Sequence, residues 1–313
     1  MSAPEAPHGV LVVDKPTGPT SHDVVDRVRR ALGTRRVGHT GTLDPFATGV
    51  LPVCVGRATR LARFLAGGEK VYRATARLGF ATATDDVQGE PLSESVPVQV
   101  THADVARACA GLVGELEQLP PLYSAKRVDG QRLYDRARRG EAVERRPSRV
   151  TVFALDLLAV DGERVEFEVR CSAGTYVRAL ARDLGAALGV GAHLTALRRV
   201  RSGSFGLDQA VTWDALAPGI ISRLIPLAGL LTDWPAVTVG PEGREALRHG
   251  RPLARRHVLA GFPDQPPQRL RALDAGGGVL LALLTPRGFG RPAPGLSFEP
   301  VLQPEVVLFD EPA

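Results

Sequence analysis

Asp44 is the side chain in this sequence best surrounded for chemistry. It lies in Gly38-His-Thr-Gly-Thr-Leu-Asp44-Pro-Phe-Ala-Thr-Gly-Val50, where three glycines, three threonines and a proline frame one carboxylate. It is the only acid between Asp26 and Glu69, with Arg35 and Arg36 upstream and Arg57 and Arg60 downstream, so it is placed to stay ionised. Such a carboxylate can act as nucleophile or charge stabiliser at a glycosidic carbon, chemistry that needs neither metal nor cofactor. Asp-Pro is equally at home in a turn, where Asp bonds its own backbone. The loop alone leaves both readings open.

Other reaction classes lack their parts. There is no G-x-x-x-x-G-K-S/T phosphate loop, and Gly189-Val-Gly191 lacks the third glycine of a dinucleotide site. No H-E-x-x-H or C-x-x-C occurs, so no tightly held zinc is expected. Gly203-Ser-Phe-Gly206 is not a nucleophile elbow. A glycosidase acting on free sugars needs two paired carboxylates, and Asp44 has no obvious acidic partner.

Charge points to a polyanionic partner. The net charge is +5 and the pI about 9.5. Between Lys126 and Arg149 nine basic residues (Lys126, Arg127, Arg132, Arg136, Arg138, Arg139, Arg145, Arg146, Arg149) face four acids, an excess of five that equals the whole net charge. A solvated face mixes signs more evenly, so this segment fits contact with a phosphate backbone.

The elements that must hold these residues follow from periodicity. His8–Asp14 reads as a buried strand. Thr20 with Asp23 caps a helix whose Val24, Val25, Val28 and Leu32 form one face, ended by Gly33. After the Asp44 loop come a strand through Val55 and a helix with Leu61, Ala62 and Leu65 inward. Lys70–Leu78 alternates as a strand, Tyr72, Ala74, Ala76 and Leu78 on one face, Arg73, Thr75 and Arg77 on the other. Thr101 caps a helix with Val105, Ala108 and Leu112 inward. The basic segment carries an Asp129-Gly130 turn and a short helix from Gln131 to Arg139. Val150–Val160 and Arg164–Cys171 form a hairpin closed by Asp161-Gly162, the second strand burying Val165, Phe167, Val169 and Cys171. Thr175 is expected to cap a helix with Val177, Leu180, Ala181, Leu184 and Leu188 inward. Arg178 then falls in its first turn, where a cation opposes the helix dipole unless an anion partners it. Leu194–Val200 reads as a strand, and Thr212–Leu216 as the start of a further helix.

At 313 residues one large and one small domain are expected. Asp233-Trp-Pro235 marks the boundary. The last 63 residues hold 10 of the 25 prolines, which forbids long helices after about Arg248 and suggests short strands in a small, loop-rich barrel. The order of elements before residue 235 suggests an α+β domain with a mixed, largely antiparallel sheet flanked by helices. Cys54, Cys109 and Cys171 are few, far apart and in apolar stretches, so buried free thiols are expected, which suits the cytosol. No apolar run approaches the roughly 20 residues that span a bilayer, and the N-terminus lacks the pattern of a secretory signal.

These residues closely resemble the bacterial tRNA pseudouridine synthase B family from about Val10 to Val200. Gly38-His-Thr-Gly-Thr-Leu-Asp44-Pro is the most specific match. Supporting pieces are Leu11-Val-Val-Asp-Lys-Pro16, Thr20-Ser-His-Asp-Val24, Tyr72-Arg73, Tyr123-Ser-Ala125, Cys171-Ser-Ala-Gly-Thr-Tyr-Val-Arg178, Gly191-Ala-His-Leu194 and Leu197-Arg-Arg199. One departure is Thr82-Ala83-Thr84, where the family usually has Thr-Asp-Thr.

The resemblance implies an isomerase that converts uridine to pseudouridine at position 55, in the T loop of tRNA, by flipping the base out. Asp44 would be the essential carboxylate, paired with Arg178. Tyr72 would stack on the base and could help remove its C5 proton. His39 would fill the space of the extruded nucleotide, Asp86 would touch that nucleotide, and Tyr176 and Leu197 would line the pocket. Lys126, Arg127, Arg132, Arg136, Arg138, Arg139, Arg145 and Arg146, in an insertion spanning about 120–150, would clamp the T arm. Residues 1–235 would form the catalytic domain and 236–313 a PUA-like RNA-binding domain. The expected partner is tRNA, with no metal, cofactor, membrane or obligate protein partner, and a monomeric cytoplasmic enzyme. The rivals are a non-catalytic tRNA-binding or folding chaperone and an RNA-guided pseudouridine synthase.

Overall fold

The computed structural model describes residues 7–122, 127–128, 131–132, 145–289 and 299–309, with backbone alone at 127–128 and 131–132. The first ten-stranded sheet carries β1 (Gly9–Lys15), β2 (Val37–His39), β3 (Thr48–Val55), β4 (Lys70–Leu78) and β5 (Gly114–Gln118). A separate two-stranded pair, β6 (Arg127–Val128) and β7 (Gln131–Arg132), follows in the chain. The large sheet continues with β8 (Ser148–Asp161), β9 (Arg164–Cys171), β10 (Ala192–Ser202), β11 (Phe205–Gly206) and β12 (Val211–Thr212). Its order is β12-β1-β3-β10-β4-β9-β8-β5, with β2 beside β3 and β11 beside β10. Only β1–β12 and β3–β10 pair in parallel, so the sheet is mixed and largely antiparallel, as expected.

Local sequence explains most elements. Helix α1 (Ser21–Leu32) starts with the expected capping box: the Asp23 N–H donates to Thr20 Oγ1 and the Thr20 N–H to Asp23 Oδ2. It ends at Gly33, whose φ of 61° is open to glycine. Its Val24, Val25 and Val28 are buried. A 3-10 turn (Gly56–Leu61) and α2 (Ala62–Ala66) follow β3, and α3 (His102–Ala110) carries a second capping box from Thr101 and Asp104. β4 alternates buried and exposed side chains along its length, with Lys70 on the buried side beside Tyr72. The three cysteines are free and buried.

Three sequence expectations need correction. Helix α4 (Val177–Ala187) is not capped by Thr175: its N-cap is Tyr176, with no side-chain cap of its own. The Thr175 hydroxyl turns to Ser172 Oγ instead, 3.3 Å away. Gln118, at the end of β5, replaces the cap: the Tyr176 N–H donates to Gln118 Oε1 at 2.7 Å and Gln118 Nε2 donates to the Tyr176 carbonyl at 3.1 Å. Thr212–Leu216 begins as strand β12, because Val211 and Thr212 take a parallel register with Val13 and Asp14 at the open edge of β1. Gln131–Arg132 are strand, held by pairing with Arg127–Val128, where a helix was expected; the rest of that helix and the Asp129-Gly130 turn lie outside the described residues.

The C-terminal β domain contains β13 (Ala236–Val239), α5 (Pro241–Arg248), β14 (Leu253–Ala254), β15 (Val258–Ala260), β16 (Leu270–Leu273), β17 (Leu280–Arg287) and β18 (Val301–Val307). Among the described residues these strands pair in the order β14-β18-β17-β16-β13-β15, the short-stranded sheet that the proline density suggests. Leu280, Leu283 and Leu308 share a buried cluster with Val10, Val12, Cys54 and Leu61 of the large sheet. Arg57 and Arg60 donate to the carbonyls of Leu308 and Val307, both at 2.8 Å, and fasten the second sheet to the 3-10 turn after β3.

Candidate active site

Asp44 closes a turn and also faces a cavity. The Ala47 N–H donates to the Asp44 carbonyl at 3.1 Å, closing the Asp-Pro turn, while the carboxylate faces a cavity. Three buried side chains fix the loop by its backbone. Ser21 Oγ donates to the Leu43 carbonyl at 2.9 Å and accepts the Leu43 N–H at 2.8 Å. Lys15, fully buried, donates to the carbonyls of Pro16, Pro19 and Pro45. Arg199, 1% exposed, donates from Nε to the Val50 carbonyl at 2.7 Å and from Nη2 to the Gly41 carbonyl at 3.1 Å. It thereby clasps both ends of the loop. Gly49 permits this closeness: with φ at 103°, a Cβ there would stand 2.2 Å from the Arg199 carbonyl oxygen.

Arg178 finds the anion that its helix position demanded. From the first turn of α4 it meets Asp44 side-on, Nε to Oδ2 at 3.0 Å and Nη2 to Oδ1 at 3.3 Å. Its Nη1 donates to the Thr84 carbonyl at 2.8 Å and lies 3.4 Å from Asp86 Oδ2. One guanidinium thus serves two carboxylates. Burial pushes the Asp44 carboxyl above its ordinary value; Arg178 pulls the other way and Asp86 adds to the rise. The expected Arg178 effect is present, but burial outweighs it. About a third of the Asp44 side chain (34%) remains open to the cavity.

The cavity, about 570 Å³, brings together five of the seven expected residues: Asp44, Tyr72, Tyr176, Arg178 and Leu197 all line it. Burial raises the Tyr72 hydroxyl above its ordinary value, opposed by Arg199. His39 and Asp86 do not line it. His39 is half-buried in β2, its Nδ1 accepting the Gly41 N–H at 3.3 Å. Asp86 is buried behind Arg178, accepting from Thr84 Oγ1 at 2.6 Å and the Gln88 N–H at 3.0 Å. Of the basic segment, Arg145 donates to the Pro120 carbonyl, Arg146 is exposed, and Arg127 and Arg132 are described by backbone alone. Lys126, Arg136, Arg138 and Arg139 lie outside the described residues. A second hollow of about 700 Å³ runs along Pro241, Glu245 and His257 and shares no residue with the first.

Sequence reasoning counted Arg149 only within the basic segment, and passed over Lys70 and Arg199 in the cavity wall and Lys15, Ser21 and Gln118 behind it. Lys70 and Arg199 left a readable trace. Lys70 shares the buried face of an alternating strand with Tyr72, and Arg199 has the same parity as Leu197 in β10.

Known proteins resemble the chain in sequence and in fold. The model of the TruB family pseudouridylate synthase N-terminal domain matches residues 29–177, and that of the tRNA pseudouridylate synthase B C-terminal domain matches residues 178–222. A tRNA pseudouridine synthase B of Syntrophotalea carbinolica is 44% identical over 283 residues, covering 89% of this chain and 92% of the relative. One of Symbiobacterium thermophilum is 53% identical over 245 residues, covering 77% and 82%. Among solved structures, an H/ACA ribonucleoprotein bound to a substrate RNA containing 2′-deoxyuridine superposes with a TM-score of 0.72 at 26% identity. A Cbf5-Nop10-Gar1 complex gives 0.71 at 28%; both cover 96% of this chain and 85% of theirs. With two matched family models and relatives of this identity along most of its length, the chain belongs to the TruB family of pseudouridylate synthases.

Proposed function

We propose that the chain converts uridine to pseudouridine at position 55 of tRNA, with Asp44 as the essential carboxylate. The observation that carries this reading is the side-on Asp44–Arg178 pair facing a cavity walled by Tyr72, Tyr176 and Leu197. An aromatic and aliphatic wall suits a flat pyrimidine, and a fixed carboxylate suits the carbon to which it is attached. The names of the relatives support tRNA as substrate. Identities of 44–53% to those relatives, against 26% to the H/ACA ribonucleoprotein and 28% to the Cbf5-Nop10-Gar1 complex, favour a synthase working without a guide.

In this reading the uridine leaves its stack, at a cost of about a few kcal/mol, and enters the cavity. Asp44 attacks the ribose or the base, or assists elimination. The C1′–N1 bond breaks, the uracil turns in place, C5 joins C1′ and loses its proton, and the freed N1 gains one. Tyr72 serves as the stacking platform. Its hydroxyl, held protonated by burial, is poorly suited to take the C5 proton. Asp86 acts on the nucleotide through Arg178 and the Thr84 loop, and His39 occupies the place of the extruded nucleotide from outside the cavity wall. The T arm is recognised by shape and phosphates, with residues 120–150 as the clamp. Residues 1–235 act as the catalytic unit, and 236–313 as a PUA-like RNA-binding unit.

Position-specific pseudouridine mapping of tRNA incubated with the purified chain tests the assignment. Asp44→Asn should form no pseudouridine while still binding tRNA. Wild-type-like turnover by that variant would refute the role of Asp44, and modification elsewhere than position 55 would refute the site. A bare T-arm stem-loop should also be modified, without guide RNA or partner protein.

A further inference from the structure

Lys70 and Arg199 have no part in the chemistry assigned so far, yet both line the cavity and are buried, at 5% and 1% exposure. They flank Tyr72. Lys70 lies two residues before it on the same buried face of β4, and Arg199 is its register partner on β10. The Lys70 ammonium donates to the carbonyls of Ala66 at 3.0 Å and Gly68 at 2.7 Å. Arg199 donates to the carbonyls of Val50, Gly41 and Thr42. Every one of these acceptors is neutral. Among the described residues neither cation comes within ion-pair distance of a carboxylate, whereas Arg178 meets two. Two buried positive charges without an anion are unfavourable, and such an arrangement suits a site where negative charge arrives.

The arriving charge can be identified from the chemistry. An extruded nucleotide enters base first and leaves its phosphates at the mouth, so the group beside Lys70 and Arg199 is the pyrimidine. Each route open to Asp44 drives electrons into that ring. Displacement at C1′, or elimination of the C2′ proton, leaves the C1′–N1 bond pair on the ring, shared between N1, O2 and O4. Addition of the carboxylate to C6 places the charge on O4. Formation of the C5–C1′ bond uses that pair and releases the Asp44 carboxylate, or in the elimination route returns the proton to C2′. Loss of the C5 proton then places negative charge on the ring once more, and a proton taken up at N1 gives the neutral product.

We propose that Lys70 and Arg199 form an electropositive floor that stabilises the transient pyrimidine anion. The proposal rests on the cavity being the uridine site. Preorganised donors in a water-poor site are suited to this task because they need no reorganisation as the charge develops. Burial, aided by Arg199, draws the Lys70 amine down to about 8, leaving it mostly protonated at neutral pH.

Single-turnover conversion and tRNA affinity of the full chain, measured against pH for wild type, Lys70→Met and Lys70→Arg, test this. Lys70→Met should lose about 10²-fold in rate, the scale for one preorganised donor, with tRNA affinity unchanged. Lys70→Arg should recover most of the rate. The wild-type rate should fall as pH rises through about 8, where the amine loses its proton, and Lys70→Arg should not fall there. An unchanged Lys70→Met rate, or a loss confined to affinity, overturns the proposal. If Lys70→Met does not fold, a wild-type profile that matches Lys70→Arg on the alkaline side overturns it equally. Absence of any wild-type turnover on tRNA overturns the functional reading itself, a result distinct from either.

Discussion

Replacing Arg178 by methionine removes the guanidinium and keeps an apolar stem of similar reach. The variant loses both contacts to Asp44, the 2.8 Å bond to the Thr84 carbonyl and the approach to Asp86. The side chains of Arg178 and Asp86 are each 4% exposed, so Asp86 would stay buried without its counter-ion. Breaking a buried pair from one side costs about 3–5 kcal/mol. Asp44 keeps a third of its surface open to cavity water, which screens its share. Asp86 also retains its bonds from Thr84 and the Gln88 N–H. Both considerations favour the lower end, about 3 kcal/mol, which for a unit of roughly 200 residues lowers Tm by about 6–12 °C.

The kinetic consequence has a definite sign. Burial and Asp86 raise the Asp44 pKa, while Arg178 is the largest of the effects that lower it. With Asp44 as the proposed catalytic carboxylate, activity requires its ionised form and is gained as pH rises through that pKa. The acid limb of the single-turnover profile therefore moves to higher pH in Arg178→Met. Arg178→Lys keeps the charge without the planar fork and should fall between. Rapid-quench measurement of pseudouridine formation against pH, with thermal unfolding alongside, provides both readouts. An acid limb that coincides with wild type would show that Arg178 acts by placement alone, and an unchanged Tm would refute the buried-pair argument.

Three further outcomes follow from the same geometry. Gln118→Leu should destabilise the fold by about 1–3 kcal/mol, since it strands the Tyr176 N–H and leaves the Tyr176 carbonyl with the Leu180 N–H alone; the rate should fall at unchanged tRNA affinity, because Tyr176 and Arg178 move and the basic segment does not. Gly49→Ala should yield little folded protein on thermal unfolding, as its Cβ would meet the backbone of Arg199 from a conformation with φ at 103°. Arg149 lines the cavity, is exposed, and among the described residues makes no side-chain hydrogen bond or ion pair; Arg149→Gln should reduce the slope of log affinity against log salt by about 0.7–0.9, the value for one phosphate. An unchanged slope would place the RNA elsewhere.

Local rules reached far into this fold. The capping box at Thr20 and Asp23, the stop at Gly33 and the alternation of β4 each depend on neighbours within a few residues, and each appears in the structure as the sequence suggests. Elements fixed by distant partners were hidden. β12 is two residues long, too short for any periodicity, and exists because β1 offers it an open edge. Gln118 closes a strand that reads Gly-Glu-Leu-Glu-Gln, where it passes for a surface residue; its task is set by a backbone 58 positions away.

The candidate site divides along the same line. Arg178 was legible because its conflict with the helix dipole is a one-turn argument that asks for an anion nearby, and Asp44 supplies it. That Asp86 shares the same guanidinium could not be read, since a half-turn of the 82–89 loop decides whether its carboxylate faces the cavity or the rear of Arg178. His39 is likewise turned by β2, whose pairing with β3 sets the ring beside Gly41 and outside the cavity. Lys70 and Arg199 look in sequence like two of many surface cations. Register alone carries them inward: Arg199 opposite Tyr72 across β10 and β4, Lys70 on the buried face two residues before it. Residues that hold Asp44 in place were therefore harder to read than Asp44 itself. Motifs record chemistry within one segment, and the positive floor of this cavity is made by two segments more than a hundred residues apart.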